Sequence, residues 1–223
     1  MSAKNQYSFW GSLSPLGGLT GAGLLLISSA RLSWAVTTSL GLIWVYGLTT
    51  ITYAFLSTTL NAKFFPQTGR IPLFTCLASF FATLYLFMFW LLCPFAAFEV
   101  FFPILLIPLF CAGSGIVEHL KPQDENAHND DIFDNVSDAV SQAAVLSGLL
   151  IAFSIIREPL SYCCLSFPGG NSGMITIMYF KDGPLFPIGI FAASAGALLL
   201  LGFFICLYQY CKSIFSMERM NHE

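Results

Sequence analysis

The sequence predicts an all-α integral membrane protein with six transmembrane helices. Only nine of its 223 residues are Lys or Arg, 56% are hydrophobic and 9% are charged. Soluble domains carry about 25% charged residues, so this composition does not suit an ordinary globular core. Six long stretches are mostly apolar and contain no Asp, Glu, Lys or Arg: 5–30, 32–62, 71–98, 100–117, 139–156 and 183–211. A helix needs about 20 mostly apolar residues to cross a bilayer, so each stretch is a candidate span.

A transmembrane β-barrel is the structural alternative, and the sequence argues against it. Barrel strands are segments of about 10 residues that alternate apolar and polar side chains. Residues 104–107 and 198–201 are continuously apolar. In lipid, such runs satisfy their backbone hydrogen bonds as helices.

The first apolar stretch has two interpretations. Lys4 followed by apolar residues, with Ser28 and Ala30 in a small-x-small pattern, resembles a cleavable signal peptide. The Gly and Pro residues clustered between 15 and 23 instead favour a short or broken membrane helix. We therefore assign the first span to this stretch.

The predicted spans are 13–30, 34–60, 71–93, 100–117, 138–156 and 184–210. Pro94 and Glu99 predict a tight turn between spans 3 and 4. Residues 159–183 are predicted to form a loop, with Gly169-Gly170 and Asp182-Gly183 as turn signals.

The chain is predicted to be a single membrane domain over 1–223, built from two inverted three-helix repeats. The repeats cover about 13–95 and 100–212, and Gly and Pro residues predict that helices 1 and 4 are short or interrupted. Because each repeat has an odd number of spans, the second repeat must cross the membrane in the opposite orientation to the first. Functional sites in such folds lie near the bilayer midplane, often on interrupted helices.

Lys and Arg residues predict the orientation of the chain. Six of them fall on the side of the two termini and three on the other: Lys4, Lys63, Arg70, Lys121, Lys212 and Arg219 against Arg31, Arg157 and Lys181. The excess of positive charge marks the cytoplasmic side, so both termini are predicted to be cytoplasmic.

Residues 118–138 are predicted to form a polar loop with seven acidic residues and Lys121 as its one basic residue. The acidic residues lack the ligand register and the central Gly of an EF-hand, which favours a solvated connector. The chain has no basic stripe, so a nucleic-acid partner is not expected.

Four polar residues near predicted helix ends are candidate site residues. Glu118 ends span 4, Asp138 opens span 5, and Arg157-Glu158 closes span 5 before Pro159. They either anchor helix ends at the headgroup level or line an ion path. The sequence offers no nucleophile–base pair, phosphate loop or paired His ligands, so it predicts no free-standing enzyme.

The seven cysteines predict no zinc site, because none has CxxC spacing. Most are expected to be small apolar fillers of helix surfaces. Cys163-Cys164 lies outside a span, where its thiols could remain free, carry a lipid or act as ligands.

An ordered series of motifs resembles the paired six-span subunits of the Rnf electron-transport complex and of the sodium-translocating NADH:quinone oxidoreductase (Nqr), in particular the RnfE/NqrD branch of that family. The series runs along nearly the whole chain: Ser14-Pro15, Ala35-Val36-Thr37, Pro66, Arg70-Ile71-Pro72, Ala78-Ser79, Cys111, Gly115, Glu118, Asp138, Arg157-Glu158 and Gly189-Ile190-Phe191.

This resemblance implies a subunit that is not catalytic alone, in a redox-driven translocase of the bacterial inner membrane. The complex would pass electrons from ferredoxin or NADH and move Na+ or H+. The implied partner is a homologous six-span sibling, and the implied cofactor is a [2Fe–2S] cluster held by two Cys of each subunit. Cys111 stands at the span 4 ligand position, and Glu118, Asp138, Arg157 and Glu158 would be polar anchors near the ion route.

The chain departs from the family at the cluster ligands. No Cys occurs before Thr75, so the span 1 ligand is missing, and Phe110 replaces the Asn that precedes the second Cys. Either the cluster has altered ligands or this chain has lost it. A non-redox transporter or structural subunit on the same inverted-repeat scaffold is therefore the second hypothesis.

Overall fold

The structure is a computed structural model, and it describes residues 15–59, 67–113, 129–169, 174–179 and 188–220. Six α-helices and one β-hairpin form this part of the chain. The helices are α1 Pro15–Ser28, α2 Leu32–Thr59, α3 Gln67–Leu92, α4 Pro94–Gly113, α5 Asn129–Tyr162 and α6 Ser194–Met220. Strands β1 (Cys164–Pro168) and β2 (Met174–Tyr179) are antiparallel, and a 3₁₀ helix, Gly189–Phe191, precedes α6.

Four of the described helices are long and apolar enough to cross a membrane: Leu32–Leu56, Ile71–Leu92, Pro94–Gly113 and Val136–Tyr162. The chain is therefore a multi-pass membrane protein. Helix α1 has 14 residues, which makes it about 21 Å long and shorter than a bilayer core of about 30 Å. The apolar part of α6, Ser194–Tyr210, is also shorter than the other four. Six spans and their inverted repetition thus stay predictions.

Spans 3 and 4 are joined by a tight connection, as predicted, but it lies before Pro94 and does not extend to Glu99. Cys93 alone separates α3 from α4, and Glu99 lies in the second turn of α4. Pro94 begins α4, a position that suits proline because the first helical N–H needs no partner within the helix. Helix α4 then continues through Pro103 and Pro108, so it is not interrupted between Pro94 and Gly113.

Helix α5 is longer at both ends than the predicted span 138–156. It begins at Asn129, so part of the predicted polar loop is helical, and it continues past Pro159 to Tyr162. Hydropathy marks where a helix is apolar and does not mark where its backbone stops being helical. Beyond α5, the predicted loop 159–183 contains the hairpin, a small β element that an all-α fold class does not include.

Helices α2 and α5 are antiparallel and form the centre of the bundle. The Ser147 hydroxyl donates to the Ser39 carbonyl at 3.3 Å. The Ser39 hydroxyl lies 3.4 Å from the Ser147 carbonyl and shares its proton with Ala35 O, 2.6 Å away on its own helix. A Cβ on Gly47 would lie 3.9 Å from Val140. On α5, the small buried residues Ala139, Ala143 and Ser147 recur every four positions, a spacing that lets membrane helices approach closely.

The apolar core lies between α1, α2, α3, α4 and α5. Its fully buried members include Leu24, Leu42, Tyr46, Phe74 and Ile104. The outer faces of α3 and α4 instead expose large apolar side chains, among them Phe80, Phe87, Leu92, Phe95 and Phe98. Such a surface suits lipid, which surrounds the helices of a membrane protein.

Candidate functional site

A polar cluster lies at one end of the bundle, where α1 and α5 end and α2 begins. Arg157 is 1% exposed and Glu158 is 0% exposed, so both charged side chains lie inside the protein. Buried charges are rare and expensive in membrane proteins, and they require partners. The partners of these two residues lie on different elements.

The Arg157 guanidinium binds the ends of two helical segments. Its five hydrogen-bond acceptors are four backbone carbonyl oxygens and one hydroxyl: Leu26 O at 2.7 Å, Phe191 O at 2.8 Å, Ser29 Oγ at 2.9 Å, Ala192 O at 3.1 Å and Ala193 O at 3.2 Å. The last carbonyls of a helix lack partners within it and carry partial negative charge. Arg157 therefore caps the end of α1 and the end of the 3₁₀ helix with one planar cation.

The Glu158 carboxylate binds a second set of groups. Its Oε2 accepts the backbone N–H of Leu32 at 2.9 Å and that of Ser166 at 3.1 Å. Its Oε1 accepts the Ser166 hydroxyl at 2.5 Å. Leu32 is the first residue of α2, so the carboxylate caps the positive end of that helix, and it also fixes β1.

Neighbouring residues on a helix point about 100° apart, which explains why the two charges do not pair with each other. Arg157 faces α1 and the start of α6, whereas Glu158 faces α2 and the hairpin. The pair thus joins four elements, of which only the hairpin lies close to it in the sequence. Leu32 and Glu158, for example, are separated by 126 positions.

Arg31 lies at the same end, in the short connection between α1 and α2. Its guanidinium carbon is 5.5 Å from the ring centroid of Trp34 and 5.3 Å from that of Tyr162. The Nη1 atom of Arg31 is 3.1 Å from the Sδ atom of Met174 in β2. Trp34 in turn donates its indole N–H to Glu99 at 2.8 Å. Aromatic rings with a basic side chain at one level are typical of the membrane–water interface.

Cys164 begins β1 beside this cluster. Burial is the main reason why the pKa of its thiol is raised above the ordinary value, and the negative charge of Glu158 raises it further. The thiol is therefore protonated at neutral pH and a weak nucleophile. Its neighbour Cys163 is buried, with a φ of 51° at the turn between α5 and β1.

Cys111 lies in the core, away from this polar cluster. Its side chain is 0% exposed and shares a hydrogen bond with Tyr46. A cluster shared between two subunits needs thiolates that face the partner, and a buried thiol bonded within its own chain does not fit that requirement. Among the residues described, no three His, Cys, Asp or Glu side chains are close enough to hold a metal ion.

The remaining predicted site residues do not join the polar cluster. Asp138 is exposed and lies nine residues after the start of α5, so it does not open the helix. The macrodipole acts within the first turn, so it does not explain that carboxylate. Asp138 and Arg157 are 19 residues apart on one helix, which separates them by about 28 Å. Glu118 lies outside the described residues.

Several members of the polar cluster were missed by sequence reasoning. Ser29, Leu32 and Ser166 contribute through backbone atoms or hydroxyls, which leave no signal in a hydropathy pattern. Arg31 did carry a signal, because it is the only charged residue between two long charge-free stretches. Such an isolated charge marks the connection between two apolar helices.

Comparisons with known proteins assign no relative to the chain. No protein-family model matches it, and no curated protein matches it significantly.

Proposed function

We propose that this chain is a six-span membrane subunit of an Rnf/Nqr-type complex, which couples electron flow to the movement of Na+ or H+ across a bacterial inner membrane. Both termini would face the cytoplasm, and a homologous six-span subunit would pack beside it. The chain would contribute half of a membrane-embedded interface and would not bind nicotinamide.

The observation that carries this proposal is the role of Arg157 and Glu158. The family that the sequence resembles has an Arg-Glu pair at the end of its fifth span, and here the pair caps α1 and α2 and fixes the hairpin and the start of α6. A pair with these structural duties is expected to persist wherever the same arrangement of helices occurs. Its presence in register with the other motifs therefore supports a common scaffold.

The contact between Ser39 and Ser147 supports the inverted repeat. Each hydroxyl oxygen approaches the carbonyl oxygen of the other residue, at 3.4 and 3.3 Å, so a local two-fold rotation exchanges the two contacts. Span 2 and span 5 are the corresponding helices of the two proposed repeats. An inverted repeat places its axis between such helices, in the plane of the membrane.

The burial of Cys111 favours the second candidate, a non-redox transporter or structural subunit on the same scaffold. A single thiol in the core supplies neither the number nor the position of ligands that a shared cluster needs. In this version the chain retains the interface and the helix caps, and other subunits carry the electrons.

Affinity purification from native membranes tests the proposal. Under anaerobic conditions, the tagged chain should bring down a second six-span subunit and flavin-bearing subunits, identified by mass spectrometry. If it is recovered without them, membership of such a complex is refuted.

Two cysteine variants then separate the two candidate functions. Cys111→Ser is compared with Cys76→Ser, whose side chain is exposed on α3. Iron and an EPR signal that disappear in Cys111→Ser alone support the redox role. Iron content and activity of the assembled complex that are unchanged in both variants support the non-redox role.

A further inference from the structure

The β-hairpin lies beside the end of the helix bundle and not beyond it. The Ser166 hydroxyl of β1 is 3.5 Å from the Ser33 hydroxyl, and Ser33 belongs to the first turn of α2. Met174 of β2 contacts Arg31, at the residue before that helix begins. Since α2 is apolar from Leu32 onward, the hairpin lies at the depth where the membrane-spanning part starts.

The inner and outer strands of the hairpin have different surroundings. Strand β1 faces the protein through Ser166, which is buried against Glu158. Strand β2, with the sequence MITIMY, contains no charge, Pro or Gly. Its side chains are largely exposed, with 57% of Ile177 and 67% of Tyr179 accessible. Within the described ranges, β2 pairs with β1 alone.

Neither bulk water nor the hydrocarbon centre of a bilayer would solvate this outer strand well. Bulk water would leave a row of Ile, Met and Tyr side chains hydrated, which is unfavourable for apolar surface. The hydrocarbon centre of a bilayer would leave the outer backbone edge of β2 without hydrogen-bond partners. The boundary between headgroups and acyl chains suits both the apolar side chains and the backbone edge. There, acyl chains lie beside water and headgroup oxygens.

We propose that β2 of the hairpin lies in the headgroup–acyl boundary of the bilayer as an interfacial anchor. The occupant of its outer face is phospholipid. Strand β2 lies at the level of the aromatic and basic residues of the bundle end, because Arg31 contacts Met174 of β2 and lies over the rings of Trp34 and Tyr162. Both ends of β2 stay near that level, because Met174 contacts Arg31 and Tyr179 pairs with Cys164, two residues after the end of α5.

Site-specific photocrosslinking in native membranes tests this placement. The full chain carries p-benzoylphenylalanine at Tyr179, an aromatic-for-aromatic change, or at Ile177. A positive control carries it at Phe87, a similarly exposed residue of α3. A core control carries it at Phe153, which is 7% exposed and packs against Phe204. After irradiation, mass spectrometry identifies what is attached to each position.

The expected result is phospholipid attached at Tyr179 and Ile177 with a yield comparable to that at Phe87, and adducts within the chain alone at Phe153. Attachment of another protein, or of a second copy of this chain, to both strand positions would show that a polypeptide covers β2 and would overturn the proposal. If Phe87 captures lipid and neither strand position does, β2 lies in water, and the proposal is overturned. None of these outcomes depends on the identity of the complex.

Discussion

Arg157→Ala should strongly destabilise the protein, because one side chain satisfies acceptors on two helical ends. The guanidinium is almost completely buried and makes five hydrogen bonds to neutral oxygens. A buried acceptor left without a partner costs about 1–3 kcal/mol, so two or three carbonyls left dry would cost about 3–5 kcal/mol. Simple addition at about 1.5–3 kcal/mol for each bond to a charged group would give a larger sum. We expect the lower range, because water can enter the space and bind some of the carbonyls.

The conservative change Arg157→Lys should lower the stability by a smaller amount. An ammonium group has three donors, whereas the guanidinium has five in a planar fork. Arg157→Lys can therefore satisfy at most three of the five acceptors, and it should fall between the wild type and Arg157→Ala. Free guanidinium ion at low concentration should partly restore the alanine variant, because it can occupy the space that the side chain left.

Arg31→Ala is the matched control. Arg31 lies at the same end of the bundle, but its aromatic contacts are cation–π contacts worth about 0.5–2 kcal/mol each. It should therefore cost less than Arg157→Ala, and guanidinium should not restore it.

Thermal unfolding of detergent-solubilised protein measures these differences. A loss of about 3–5 kcal/mol corresponds to a decrease in Tm of about 6–20 °C for a chain of this size. Size-exclusion chromatography after heating reports the fraction that remains folded. If Arg157→Ala melts at the wild-type temperature, or no lower than Arg31→Ala, then the guanidinium does not join the two helical ends.

Two further predictions concern the centre and the end of the bundle. Glu158→Gln should cost about 1–3 kcal/mol, because its hydrogen bonds to Ser166 lose their charge assistance. The same change should lower the midpoint pH for alkylation of Cys164, whose pKa is raised by burial first and by Glu158 second. An unchanged midpoint in a pH series followed by mass spectrometry would exclude that electrostatic contribution. Ser147→Ala should cost about 0.6 kcal/mol, the average for hydrogen bonds between membrane helices, because its hydroxyl donates to the Ser39 carbonyl. Ser39→Ala should cost less, because the Ser39 hydroxyl also donates to Ala35 O on its own helix at 2.6 Å. If Ser147→Ala unfolds at the wild-type temperature, this contact contributes no stability.

The membrane-spanning helices could be predicted from the sequence because a single property defines them. The charge-free stretch 32–62 contains α2, and the stretch 71–98 contains most of α3. A long apolar run in lipid must satisfy its backbone internally, so its structure is decided without tertiary information. Helix ends depend on local partners instead, which is why α5 extends to Asn129 and Tyr162, beyond the predicted limits.

The candidate site could be predicted only in part. Arg157 and Glu158 were selected because charges are rare beside an apolar helix, and the structure finds both buried at the centre of a polar cluster. Their partners could not be predicted, because Leu26 and Phe191 offer carbonyl oxygens that every residue has. The hairpin was missed for a different reason, since the turn signals Gly169-Gly170 and Asp182-Gly183 indicate a loop, and strands of five and six residues between such signals are too short to stand out.

The polar cluster also explains how a chain this apolar can have one defined arrangement of helices. Lipid is as apolar as a leucine side chain, so the hydrophobic effect inserts helices into a membrane but does not choose their neighbours. Directional contacts are needed to determine which helices pack together, and here many of them are made by two consecutive residues of α5. Arg157 binds the ends of α1 and of the 3₁₀ helix, and Glu158 binds the start of α2 and strand β1. Because the two side chains leave the helix in different directions, α5 fixes elements on two sides at once, and a change at either residue should loosen one side while the other remains bound.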